Sequence, residues 1–316
     1  MRRRHFLIFS VIISVTVLAA WLFISSKHFR THGESPYLTG EVEAEQARQK
    51  VVYRDAKGRQ LTEEEIADAS GWVDWDRVGS ENISFHAMEL FRAGMSQFGK
   101  GSRTVEEHDA NAYKAIELLK QASAEAPAWP TPPHEIARTY LMFFHDTENA
   151  ERFYRRVDKL APHGYFDTKV ALDCLRRVRS RELDPGIYEV YITDRYWIDS
   201  KMKRSLFEKL IKQYPKFPAA WKELAVYRDT DSSKLEAIER GLSENPDDDT
   251  KGVLLINKAV IAARQGDRSM ALRILGDLAL DPESTSFVAA LAKVAIRNTL
   301  HPSEAGAKML YYDPNW

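Results

Sequence analysis

The stretch Ala112–Pro127, AYKAIELLKQASAEAP, constrains the fold more than any other part of the chain. Ala115, Leu119 and Ala122 fall at i, i+4 and i+7, so a helix places them on one face, and Pro127 ends it. The small residues matter as much as the apolar one. A methyl at Ala115 and at Ala122 lets a neighbouring helix approach closely, while Leu119 fills the groove between them. The same offsets recur about 35 residues on, as Ala150, Tyr154, Val157 and Pro162, with another short helix in between. Two helices and a stop at a fixed period predict an all-α solenoid of stacked helical hairpins.

The chain has 316 residues, of which 44% are hydrophobic, enough for a sizeable core. The 45 basic and 46 acidic residues nearly cancel, and without Arg2, Arg3 and Arg4 the basic total drops to 42. This argues against a nucleic-acid partner, which needs a clustered basic excess. Cys174 is the only cysteine, which excludes an intrachain disulfide and a cysteine zinc site and predicts a small buried apolar residue.

Phe6–Ile24 is 19 residues without a charge. As a helix it is about 28 Å long, against a hydrocarbon core of about 30 Å. Arg2, Arg3 and Arg4 precede it, so the positive-inside rule predicts a cytoplasmic N-terminus and a single-pass signal anchor. The bulk of the chain is then extracytoplasmic, and periplasmic in a diderm bacterium. The rival is a cleaved signal peptide with Val17 and Ala19 at its cleavage site, giving a secreted protein. This apolar stretch exceeds the usual h-region of about 7–15 residues.

The remaining segments are expected as follows. Residues 1–26 hold the anchor and 27–50 a linker. Residues 51–82 form a small capping segment: a hairpin over Val51–Thr62, a helix started by Thr62 before Glu63, Glu64 and Glu65, and then Trp72 and Trp75. We expect this hairpin-plus-helix to cover the first repeat, with the tryptophans as its plug or, alternatively, as a docking patch. Residues 83–300 carry the repeats. Between Pro162 and Pro215 three helices replace a pair, with Pro185 expected in the first turn of its helix and Asp199 as an N-cap, which predicts a break in phase. The tail, 301–316, is expected to pack on the last repeat through Tyr311, Tyr312 and Trp316.

These residues resemble the tetratricopeptide repeat family. Ala115, Leu119, Ala122 and Pro127 match the second-helix half of its pattern. Ile136, Ala137 and Tyr140 match the first-helix half, with Pro133 in place of the usual Trp. Trp221, Leu224 and Ala225 match again, with Arg228 replacing Tyr, and Gly266, Asp267, Ala271, Leu275 and Pro282 match the last pair one residue short. The resemblance spans roughly Ser84–Leu300 in about four to five degenerate repeats. It implies a right-handed solenoid whose first helices line a concave groove, and binding of a protein or peptide rather than catalysis. One subtype clamps a C-terminal carboxylate with Lys and Asn. The matching positions here are His134 and Arg138, then Lys222 and Val226, which departs from the clamp. His134, Arg138 and Lys222 are the expected groove residues. Tyr188, Tyr191 and Trp197 on the extra helix are core residues or a recognition patch.

Catalysis has one foothold. His108–Asp109 and His145–Asp146 are HD pairs, near His86 and His134, and HD-type metal hydrolases use such sets. Both pairs sit at expected helix boundaries, where Asp is a common cap. No HExxH, phosphate-cradling glycine loop or GxSxG elbow occurs. Arg176, Arg177, Arg179 and Arg181 read as a solvated basic face or a site for an acidic partner. The sequence therefore predicts a membrane-tethered, non-enzymatic scaffold that serves a partner in an envelope complex, without cofactor, metal or nucleic acid. A metal-dependent hydrolase is the alternative.

Overall fold

The computed structural model describes residues 50–102, 104–197 and 200–302. They form thirteen α-helices and one two-stranded antiparallel sheet. The anchor Phe6–Ile24, the linker, Asp199 and the tail beyond Pro302 lie outside the described residues. Among the described residues no helix is long and apolar enough to cross a membrane. The chain divides into two compact units. One contains residues 79–153; the other contains 50–78 together with 154–302.

The first unit is built from α2 (Phe85–Phe98), α3 (Val105–Glu125), α4 (Thr131–Phe144) and the opening turns of α5 (Thr147–Leu160). Ser84 caps α2 by accepting the Ala87 N–H, and Thr104 caps α3 by accepting that of Glu107. Helix α3 thus begins well before Ala112, because Glu106 and Glu107 sit favourably at the positive end of its dipole. Ala115, Leu119 and Ala122 are fully buried, as their spacing requires. Gly94 of α2 lies against Leu119, where a Cβ would stand 3.1 Å from the leucine Cγ. The pair is therefore held by small-residue contact, with Phe91 packed on Trp129 at 4.9 Å between ring centroids.

In the second unit each helix from α8 to α13 packs on its successor: α8 (Ser200–Gln213), α9 (Pro218–Tyr227), α10 (Asp231–Ser243), α11 (Asp248–Arg264), α12 (Arg268–Leu280) and α13 (Ser286–Leu300). Helix α6 (Thr168–Arg179) packs on α11. The three-helix insertion is present, with α7 (Ile187–Trp197) between α6 and α8. Pro185 does not start α7. It forms a turn with Gly186, whose φ of 90° suits glycine, and the helix begins at Ile187.

The sheet pairs β1 (Val51–Arg54) with β2 (Gln60–Thr62), and β2 runs into α1 (Glu63–Ala67). Thr62 and Glu65 close a capping box, as the Thr-x-x-Glu spacing predicts. The expectation that this hairpin covers the first repeat is corrected by its contacts. Leu61 and Ile66 enter the same apolar cluster as Leu275, Val288 and Ala295 of the last helices. Tyr53 lies on Gly276 of α12 and donates its hydroxyl to Asp277 at 2.6 Å. Arg59 donates to the Leu280 carbonyl, and Arg297 of α13 donates to that of Ala69 at 2.6 Å. The reason is that α12 offers a flat glycine platform and open carbonyls at its end. The Tyr53 phenol is pushed up to about 12 by burial first and by its bond to Asp277 second. Trp75 packs edge-on against Tyr165 at 5.6 Å, whereas Trp72 is 71% exposed.

A Cβ at Gly276 would stand 2.3 Å from carbons of the Tyr53 ring, far inside van der Waals contact. Gly276→Ala is expected to gain up to about 1 kcal/mol of helix propensity and to lose roughly 1–3 kcal/mol to overpacking. The net result is a lower Tm and faster proteolysis at the turn Asp55–Gly58. A raised Tm would show that the ring moves aside freely.

Candidate functional site

The predicted first-helix positions lie on α4 and α9. On α4, His134 is 2% exposed and its Nδ1 lies 3.2 Å from Glu135 Oε1, while Arg138 Nη1 lies 3.4 Å from Glu135 Oε2. On α9, the Lys222 ammonium sits 3.1 Å from Glu223 Oε1 and 5.8 Å from the ring centre of Tyr191. The Tyr191 hydroxyl donates to the same glutamate oxygen at 3.0 Å. Lys222, Glu223 and Tyr191 are all buried. A buried charge is tolerated only when paired and hydrogen-bonded, and these three groups provide that for one another. Tyr188 is buried on α7 and donates to Asp167 at 2.5 Å; burial, then the Asp167 charge, push its phenol well above the usual range. The backbone of Trp197 ends α7, and its side chain lies outside the described atoms. Of the six sequence-predicted residues, Arg138 is the one whose described side chain is about one-third exposed, at 36%.

Arg177 alone departs from the expected solvated basic face, since Arg179 and Arg181 are exposed and Arg176 is 43% exposed. Arg177 is 2% exposed. Its Nε–H donates to Asp173 Oδ2 at 2.7 Å, and Nη1 donates to Glu182 Oε2 at 3.1 Å and to the Lys216 carbonyl at 2.5 Å. Nη2 donates to the carbonyls of Glu244 and Asn245 at 2.9 and 3.0 Å. All five guanidinium N–H groups therefore have acceptors. Three of those acceptors are carbonyls beyond the C-termini of α8 and α10, which carry unsatisfied oxygens. The available sequence signal was the Asp173–Arg177 pair at i, i+4. Cys174 beside it is 1% exposed, and burial raises its thiol well above the ordinary range, so it is unreactive in the folded state.

One HD pair, His145–Asp146, serves a helix junction, whereas His108–Asp109 lies inside α3 and not at the expected helix boundary. Asp146 accepts the Asn149 N–H at 3.0 Å at the start of α5, and the Asn149 hydrogen bonds hold its carboxyl below the usual range. His145 takes a left-handed φ of 52° at the end of α4. His108 stacks on Phe143 at 5.0 Å, and His86 pairs with Glu125 at 2.6 Å. Among the described residues no group of three or more His, Cys, Asp or Glu side chains could hold a metal ion.

One surface feature was missed by periodicity. At the C-terminal end of α4, Phe144 stacks on Tyr113 of α3 at 4.4 Å, and Tyr140 stacks on Phe153 at 5.9 Å, with the Arg152 guanidinium 5.0 Å from the Phe153 centroid. Tyr113 is 55% exposed. The row gives flat π-faces edged by a cation, suited to apolar or cationic side chains of a partner. The signal lay in LMFFH, an aromatic pair at the end of a helix face.

No protein-family model matches the chain, and no curated protein matches it.

Breaking a buried ion pair by removing one partner costs roughly 3–5 kcal/mol. Arg177→Met is expected to lose that much in urea unfolding, and to make Cys174 react with a thiol reagent under native conditions. Arg177→Lys recovers little, because an ammonium cannot supply five diverging donors. A loss below about 1 kcal/mol would mean that the carbonyls find water instead.

Proposed function

We propose that the protein is a non-enzymatic scaffold of the tetratricopeptide-repeat kind, a right-handed stack of helical hairpins that binds a segment of another protein in an envelope complex. The observation that carries this reading is the open aromatic row on the first unit, led by the half-exposed Tyr113. Tyrosine and other aromatic residues dominate binding hot spots because they cover much area at little entropic cost. Arg138, on the same helix as Tyr140 and Phe144, supplies a charge to a partner. His134 acts in this reading as a buried support of α4, Lys222, Tyr188 and Tyr191 as buried supports within the second unit, and Trp197 as a further contact.

The tether is part of the same proposal. Phe6–Ile24 spans the membrane and leaves the bulk of the chain outside the cytoplasm. Strand β1 is the first described element after it, and β1 packs on α12.

Crosslinking and capture from membranes with the full chain, compared with a Tyr113→Ala, Phe144→Ala, Arg138→Glu variant, tests the binding surface. A partner recovered by the wild type and reduced at least about tenfold by the variant, a loss of about 1.4 kcal/mol, is the expected result. Undiminished capture would sink the aromatic-row reading. Protease added to spheroplasts is expected to digest the bulk of the chain; full protection would overturn the proposed orientation.

A further inference from the structure

Two carboxylates lie inside the second unit at the start of α11. Asp247 caps the helix, its Oδ1 accepting the Thr250 N–H at 3.0 Å, while its Oδ2 is buried without a partner. Asp249 is 6% exposed, and its Oδ1 accepts the hydroxyl of Thr285, itself 1% exposed, at 2.5 Å. That hydroxyl oxygen also accepts the Val288 N–H at 3.3 Å and so caps α13. The next residue, Ser286, donates its N–H to the His163 carbonyl at 2.8 Å. Gly164 follows with a φ of 88°, and a Cβ there would stand 3.3 Å from the Thr285 side chain and 3.9 Å from the Asp249 carboxyl. Three segments thus converge on one buried carboxyl: the loop before α6, the start of α11 and the start of α13.

The charges around it do not neutralise it. Among the described residues Asp249 has no cation within ion-pair distance. Lys169 of α6 is 2.8 Å from Asp158 and 3.9 Å from Asp248, and Lys222 of α9 is with Glu223. Asp247 and Asp248 add negative charge from α11 itself. An isolated buried carboxylate is costly, and a single hydroxyl does not replace its lost hydration.

We propose that the Asp249–Thr285 contact is a pH-sensitive latch, in which the neutral carboxyl holds the start of α13 and the His163 loop on α11, and ionisation parts them to admit water. Burial first, and the Asp247 charge second, raise the Asp249 pKa from 3.8 to about 7, against opposing contributions from Thr285, Lys222 and Lys169. An acid raised on folding favours the folded state fully below its unfolded pKa, and that advantage is lost as pH climbs to the folded value. The latch is therefore closed near pH 5 and weakened by pH 8. The local opening ratio rises about a hundredfold across that span. Helix α13 also packs on α1 and α12, so the loosening falls at the end of the unit that carries the hairpin. This inference does not depend on the scaffold reading.

The test is hydrogen exchange on the full chain from pH 5 to 8.5, corrected for intrinsic rates, read at the amides of Ser286, Phe287, Val288 and Ala289. Protection is expected to fall about a hundredfold in the wild type, with a midpoint near 7. Asp249→Asn, which keeps the accepting oxygen but cannot ionise, is expected to give a flat, protected profile. Thr285→Ser and His163→Gln are expected to keep the wild-type profile, since the first retains the hydroxyl and the second removes only an imidazole. A flat wild-type profile, or an undiminished pH dependence in Asp249→Asn, would overturn the latch. Should Asp249→Asn not fold, residue-assigned carboxyl carbon-13 titration of the wild type decides: the Asp249 carboxyl titrating near 7 supports the latch, and Asp249 titrating below about 5 refutes it.

Discussion

Arg177 joins parts of the second unit that no run of the chain brings together. Its guanidinium links α6, through Asp173, to the loop end at Glu182 and to the carbonyls that follow α8 and α10. Each of those helices would otherwise end on oxygens turned inward without donors. The planar five-donor fork is the one side chain that can serve such a set from a single point. The three-helix insertion is tolerable for the same reason. The arginine ties α6 and the loop before α7 to the backbone that follows α8 and α10.

A second constraint is that helices packed mainly on their chain neighbours leave apolar surface on the last pair. At the end of the second unit the solution is non-local. The hairpin β1–β2 and α1 come from the N-terminal side of the chain and close on α12 and α13, where Gly276 makes room for Tyr53 and Arg297 reaches back to the Ala69 carbonyl. This contact spans more than two hundred residues of sequence, as the Tyr53–Asp277 bond shows with a separation of 224. Its loop-closure cost grows only slowly with length, and the apolar cluster around Leu61 and Ile66 offsets it.

The buried polar groups divide by how completely they are matched. Lys222 and Tyr191 both reach Glu223 Oε1, and Arg177 satisfies carbonyls beyond two helix ends, so both sets rigidify the interior. Asp249 is matched by a hydroxyl alone, which leaves its charge state open to pH. Tyr113 of the first unit is half-exposed, whereas His134 and Lys222 are buried. A polar residue on a first helix looks the same in sequence whether it faces a groove or a neighbouring helix.

What the sequence determined by itself is local. The helices, the proline stops, the hairpin turn, the Thr62–Glu65 capping box and the Ala115–Leu119–Ala122 face all follow from spacing and from side chains bonding to nearby backbone, and they appear where that chemistry puts them. The early start of α3 at Val105 and the Pro185–Gly186 turn are small departures of the same local kind. Only the tertiary structure decided which end the hairpin covers, that Arg177 is buried while Arg176 beside it is 43% exposed, and that Lys222 points inward. These outcomes depend on which distant surface offers a complementary shape or an unsatisfied carbonyl. That information is spread over residues far apart in the chain, and no period or motif within a single helix carries it.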